Sequence, residues 1–167
     1  MHLWKKESRF LKENKCLLFC SKINKIMKSE KDDFAVKVIA QVLKQDLFSQ
    51  WLGIEIVEIK EGYSKIKMLV RAEMINGLGI VHGGITFSLA DSCFAFACNN
   101  RNILSVALDT SINFMKPVHV GDELVAEAIE MHNGRSTGLY HISITNQKAH
   151  IVALFKGTCF RTNRSII

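Results

Sequence analysis

The chain has 167 residues, 48% of them hydrophobic and 23% charged, with a formal net charge of +6. That length suits one domain with a sizeable core, and the composition is that of an ordinary globular chain. The excess charge lies wholly in residues 1–31, where nine Lys or Arg face three Glu, while residues 32–167 hold thirteen basic and thirteen acidic side chains. The neutral remainder argues against the basic stripe that a nucleic-acid partner requires.

Residues 1–31 are rich in Lys and Asn and show no sustained periodicity. They read as a basic, disordered or non-native N-terminal extension, with Met27 as a candidate natural start and residues 32–167 as the domain. The apolar run at residues 16–20 is too short for a membrane span or a signal-peptide core, so no membrane partner is expected. Five cysteines, at 16, 20, 93, 98 and 159, form no C-x-x-C pair, and their number is odd. Such thiols read as reduced, which places the chain in the cytoplasm.

Asp32-Asp33 offers an N-cap to a first helix over residues 34–50, striped by Ala35, Val38, Ile39, Val42 and Leu43. Gly53 follows its end. Residues 54–59 and 63–70 read as a hairpin around Glu61-Gly62, with Ile66, Met68 and Val70 alternating against Lys65 and Lys67. A loop over 71–81 delivers the chain to His82-Gly83-Gly84. Fourteen residues without Pro or Gly follow, and Asp91 is their one charge. Their small and apolar composition predicts a buried helix. Burying a carboxylate there costs several kcal/mol, on the order set by transfer from water, unless a partner or a task offsets it.

Beyond Asn99-Asn100 the pattern becomes strand-like. Leu104, Val106, Leu108, Ile112 and Phe114 alternate through one long strand that stops at Lys116-Pro117. Gly121-Asp122 turns into a strand at 123–131, Asn133-Gly134 marks a two-residue hairpin, and strands at 138–145 and 151–161 complete a four-stranded meander. The order helix, two strands, apolar helix, four strands predicts an α+β fold in which a curved antiparallel sheet wraps a long helix.

Several motifs are set aside. Gly134-Arg135-Ser136-Thr137-Gly138 matches the G-x-S-x-G elbow, but it leaves a turn and enters a strand, and no Asp or Glu follows Glu130. Gly77-Leu78-Gly79-Ile80-Val81-His82 is a broken dinucleotide fingerprint without a βαβ context. The six histidines are scattered, so no metal is expected. What remains is His82-Gly83-Gly84 with Asp91. Two glycines at a helix N-terminus let a substrate reach backbone N–H groups where the helix dipole favours negative charge. Gly84 and Asp91 are two turns apart, about 10 Å along one helix. Two antiparallel copies bring these ends together, which makes a catalytic site there a property of an obligate homodimer.

The run Met74-Ile75-Asn76-Gly77-Leu78-Gly79-Ile80-Val81-His82-Gly83-Gly84-Ile85-Thr86-Phe87-Ser88-Leu89-Ala90-Asp91 resembles the hotdog-fold acyl-CoA thioesterases of the PaaI-like, phenylacetate-degradation type. The likeness continues through Ile112-Asn113-Phe114-Met115-Lys116-Pro117 and Val152-Ala153-Leu154-Phe155-Lys156-Gly157, covering residues 34–161. It implies a six-stranded hotdog fold, a homodimer that pairs into a tetramer, and hydrolysis of an aryl-acyl-CoA such as phenylacetyl- or hydroxyphenylacetyl-CoA without a cofactor. Asp91 matches the catalytic carboxylate, as nucleophile or general base. Gly83 matches the N–H that polarises the carbonyl, and His82 and Asn76 the side chains that orient substrate or water. A hydroxyl found in some relatives falls at Ala107 and is missing here. Arg135, Lys116 and Lys156 are basic candidates for CoA contacts. The alternatives are a non-catalytic acyl-CoA-binding module and a hotdog dehydratase.

Overall fold

A computed structural model of the protein describes residues 30–167; the expected extension, with its start at Met27, lies outside the described residues apart from Glu30 and Lys31. The elements in chain order are α1 (Glu30–Gln45), α2 (Leu47–Leu52), β1 (Glu55–Lys60), β2 (Tyr63–Leu69), a 3-10 turn (Ala72–Met74), α3 (Gly83–Asn99), β3 (Ser105–Phe114), β4 (Glu123–Asn133), β5 (Thr137–Asn146) and β6 (Ile151–Arg161).

The single helix expected over 34–50 is two. Asp46 interrupts it, because its carboxylate accepts the Ser49 N–H at 2.9 Å and so caps a new helix, α2. Gly53, at φ +77°, closes α2 in the left-handed conformation that glycine adopts without strain. Asp32 stands inside α1 rather than at its cap, and it accepts the Glu61 N–H at 3.0 Å.

All six strands form one antiparallel sheet in the order β1-β2-β4-β5-β6-β3. The expected meander holds for β4, β5 and β6 only. β3 pairs with β6 and forms the far edge, so the chain crosses the sheet between β3 and β4. Alternation along β3 also breaks: the register shifts between Ala107 and Asp109, leaving Leu108 as a bulge. Val106 consequently pairs with the exposed Phe160, whereas Ile112 pairs with the buried Phe155. One extra residue sends the two apolar halves of this strand to opposite faces.

The sheet folds around α3, whose Leu89, Phe94 and Phe96 are buried against Ile66, Leu124, Tyr140, Ile142 and Phe155. Each such side chain contributes roughly 1.5–3 kcal/mol by leaving water. Glycine sets the closest approach, since a Cβ on Gly157 of β6 would lie 2.9 Å from the Phe94 ring. The sheet does not cover the helix completely. Ten of the seventeen residues of α3 are buried, and the others include Gly84, Ser88, Asp91 and Ala95, which recur every three or four residues. That spacing is one open stripe along the helix.

Candidate active site

Residues 71–82 form the entry to α3. Ile75 and Val81 bridge, the Asn76 N–H donates to the Ile80 carbonyl at 2.7 Å, and the His82 N–H donates to the Met74 carbonyl at 2.9 Å. Asn76 organises this loop with its side chain as well, its Oδ1 accepting the Leu78 N–H at 2.8 Å and the Ile80 N–H at 3.4 Å. With that oxygen engaged by the backbone, the amide Nδ2 is left as a donor.

His82 is the N-cap of α3, and its Nδ1 accepts the Gly84 N–H at 2.8 Å. An accepting Nδ1 puts the proton of the neutral ring on Nε2, which therefore presents a donor. The cap also explains Gly84, because a Cβ there would lie 2.8 Å from His82 Nδ1. The Ile85 N–H is taken by the His82 carbonyl at 2.9 Å. The Gly83 N–H finds no acceptor among the described residues. It is the orphan donor that a helix start leaves, at the positive end of the dipole.

Two turns further along lies Asp91. Its carboxylate is half-buried on the open stripe and makes no hydrogen bond or ion pair with any described residue. Burial alone pushes its pKa above the ordinary Asp value. No nearby backbone donor satisfies it among the described residues. Its neighbour Ser92 is engaged instead, with Oγ 3.1 Å from Ser49 Oγ, which in turn donates to Asp46 at 2.5 Å. This buried chain of hydroxyls holds α2 against α3.

A cavity of about 410 Å³ opens at the N-terminus of α3 and is lined by Asn76, Gly83, Phe114, Met115, Lys116 and Pro117 among others. It gathers two of the expected site residues and one of the three basic candidates. Asp91 and His82 do not line it. Lys156 lies on the outer face of the sheet, 3.6 Å from Asp109, and Arg135 lies in the turn between β4 and β5, so the three basic candidates do not form one cluster. Phe114 escaped the sequence reading because its place in an alternating strand reads as core; Lys116-Pro117 just after it was the available signal. Among the described residues no group of His, Cys, Asp or Glu could hold a metal ion, and no helix is long and apolar enough to cross a membrane.

A long helix wrapped by a six-stranded antiparallel sheet is the hotdog architecture, and here a half-buried carboxylate and a helix-terminal N–H lie along that helix. The family model of the thioesterase superfamily matches residues 78–153. The chain is 42% identical over 123 residues to the acyl-coenzyme A thioesterase PaaI of Escherichia coli, covering 74% of this chain and 88% of that protein. It is 39% identical over 135 residues to a putative esterase of Archaeoglobus fulgidus, covering 81% and 88%. Among solved structures, the E. coli PaaI protein from the phenylacetic acid degradation operon superposes with a TM-score of 0.78 at 39% identity, covering 80% of this chain and 97% of that one. A hypothetical thioesterase protein with coenzyme A from Streptococcus pneumoniae gives 0.65 at 28% identity, covering 67% and 88%. The protein belongs to the thioesterase superfamily, in its PaaI-like hotdog branch, and is a thioester hydrolase.

Proposed function

We propose that the protein hydrolyses aryl-acyl-CoA thioesters, such as phenylacetyl- or hydroxyphenylacetyl-CoA, to the free acid and CoA. One observation carries this reading: the Asp91 carboxylate and the Gly83 N–H, each without a partner among the described residues, lie along the same helix. The similarity to PaaI supports the choice of substrate class, and the likeness to a CoA-bound relative supports CoA as the thiol.

In this reading the thioester carbonyl accepts from Gly83 N–H, and the helix dipole stabilises the oxyanion as it forms. As general base, Asp91 takes a proton from the attacking water and returns it to the departing sulfur as the C–S bond breaks, giving acid and CoA thiol. As nucleophile, it attacks the carbonyl carbon, and CoA leaves as a thiolate that takes a proton from solvent. Water then hydrolyses the acyl-aspartate anhydride to the acid. His82 Nε2–H and Asn76 Nδ2 orient the substrate or the water, and Lys116 at the cavity faces the anionic CoA. No cofactor enters the reaction.

Gly83 and Asp91 are too far apart on one helix to act on one carbonyl, so the site is shared by a homodimer. The edge strand β3 is hydrogen-bonded to one neighbour only, and its Phe114, more than half exposed, lies against Gly83 at the head of the open stripe of α3. An antiparallel second copy would cover both and set each Asp91 beside the partner's carbonyl site. Exposed Ile129 and Leu154 on the outer sheet face support pairing of dimers into a tetramer.

The test is thiol release from a panel of aryl- and fatty-acyl-CoAs, with sedimentation to read the assembly. Release in a dimeric or tetrameric protein is expected, with Asp91→Asn retaining fold and binding but not turnover. Binding without release by the native protein would instead make it an acyl-CoA-binding module.

A further inference from the structure

Gly83 is packed more closely than a helix start requires. A Cβ built on it would lie 3.2 Å from Phe114 Cζ, with Cε1 and Cε2 at 3.6 and 3.7 Å, so the tip of the ring rests against the Gly83 α-carbon. Along a helix the Cα–Cβ bonds tilt toward the N-terminus, the same sense in which the first N–H groups point. The ring therefore flanks the space into which the free Gly83 N–H opens. Phe114 is the last residue of the edge strand β3 and 56% exposed, and it lines the same cavity as Gly83 and Asn76. It is a wall of that cavity and not a core residue.

We infer that Phe114 sets the acyl selectivity by limiting bulk on the carbon next to the thioester carbonyl. The inference rests on the hydrolase reading above, with Gly83 as the carbonyl donor. A carbonyl oxygen bound to that N–H lies about 2.9 Å from the nitrogen, and its carbon is roughly 1.2 Å further on. With the carbonyl held there, the substituent on the Phe114 side of the carbonyl carbon packs toward the ring. A CH₂ in this position, as in phenylacetyl or butyryl groups, passes the ring tip. A branched carbon, or an aryl ring attached directly to the carbonyl as in a benzoyl group, meets it. Phe114 thus admits arylacetyl and straight-chain acyl groups and rejects aroyl and α-branched ones.

The experiment measures kcat/KM for phenylacetyl-, benzoyl-, butyryl- and isobutyryl-CoA with the native full chain, Phe114→Ala and Phe114→Leu. Ratios taken on one sample are independent of the folded fraction, so partial unfolding of a variant does not mimic a change in selectivity. The native protein is expected to favour phenylacetyl over benzoyl and butyryl over isobutyryl. Phe114→Ala should raise the benzoyl-to-phenylacetyl ratio about tenfold or more, the scale of a steric discrimination in an apolar pocket, and Phe114→Leu should give an intermediate value. If Phe114→Ala yields no folded protein, the Leu variant decides. Native turnover with both ratios unchanged within roughly twofold in the variants, or no native preference against the bulky pair, overturns the assignment of Phe114 alone. No thiol release from any of the four by the native protein overturns the hydrolase reading and this inference with it.

Discussion

The two ends of α3 treat polar groups in opposite ways. At the C-terminal end each one named here has a partner. Asn100 accepts the Gly62 N–H at 3.0 Å and donates to the Lys60 and Tyr63 carbonyls at 2.7 and 3.1 Å, tying the helix to the β1–β2 hairpin. Arg101 makes a two-pronged contact with Glu130 at 2.8 and 2.6 Å and a third bond to Glu61 at 2.8 Å. Tyr140 donates to Glu130 at 2.6 Å, and Arg161 bonds both Glu130 and the Gly134 carbonyl. Around the N-terminal half, Gly83 N–H and the Asp91 carboxylate have no partner among the described residues. Satisfied networks hold a fold, and groups kept available at a cost in stability are where a substrate or a second chain completes the structure.

The sharpest way to break this contrast is Asp91→Asn. Turnover of acyl-CoA should fall by at least about 100-fold, the scale of a lost general base or nucleophile, in steady-state thiol-release assays. Stability should move the other way. Burial raises the Asp91 pKa, so the native chain binds this proton more tightly than the unfolded chain does. Ionisation at neutral pH therefore opposes folding. The variant should melt above the native protein at pH 7, with the gap closing as pH falls through the carboxylate range. The acid limb of native kcat/KM should likewise lie above the ordinary Asp range. A lower melting temperature at pH 7 would show that Asp91 has a stabilising partner.

Next comes the satisfied end. Burial works to raise the Glu130 pKa, but Arg101 and Tyr140 together hold it below the usual carboxylate value. Its stabilising contribution is present above the unfolded-state pKa and is lost as pH falls through the folded one. Arg101→Met should cost about 2 kcal/mol at pH 7, as expected for charge-assisted hydrogen bonds, and less in acid. Denaturant midpoints at the two pH values check this; a cost that does not depend on pH would remove the electrostatic explanation.

Smaller effects come from packing and capping. Gly157→Ala drives a methyl group into the Phe94 ring, which is 2.9 Å away, and should cost about 1–2 kcal/mol by overpacking, read by thermal melting. Asp46→Ala removes the cap of α2 and its bonds to Ser49. About 1 kcal/mol is expected. Because that cap anchors the Ser49–Ser92 contact, amide exchange in α2 should accelerate while exchange in β4 and β5 stays unchanged.

Much of the fold was legible in local chemistry. Ile66, Met68 and Val70 alternate with lysines and face inward as expected, and Gly53 ends a helix where a left-handed cap is needed. Asn133-Gly134 marked the hairpin but not its tip: Asn133 still pairs with Gly138, and the Gly134 N–H donates to the Thr137 carbonyl at 2.9 Å. The chain reverses at Arg135-Ser136, so the serine-hydrolase motif still runs from a turn into a strand. Asp46 was harder to read, because a capping carboxylate inside an apolar stripe looks like a polar position on one continuous helix. The Leu108 bulge was invisible, since an inserted residue leaves composition unchanged and shows only in the register with β6.

Read alone, the sequence determined the order and type of most elements, the costly carboxylate at 91 and the glycines before it. These follow from periodicity and residue chemistry within a few turns of chain. Tertiary structure decided that β3 closes the far edge beside β6, that His82 caps α3 and so leaves Gly83 N–H free, and that the Phe114 ring rests on Gly83. The His82 cap spans only two residues, but the loop tied at Met74 and Ile80 sets the angle at which its ring meets the helix. The β3 edge and the Phe114 contact depend on which distant backbone arrives alongside, and no local pattern of side chains encodes that meeting.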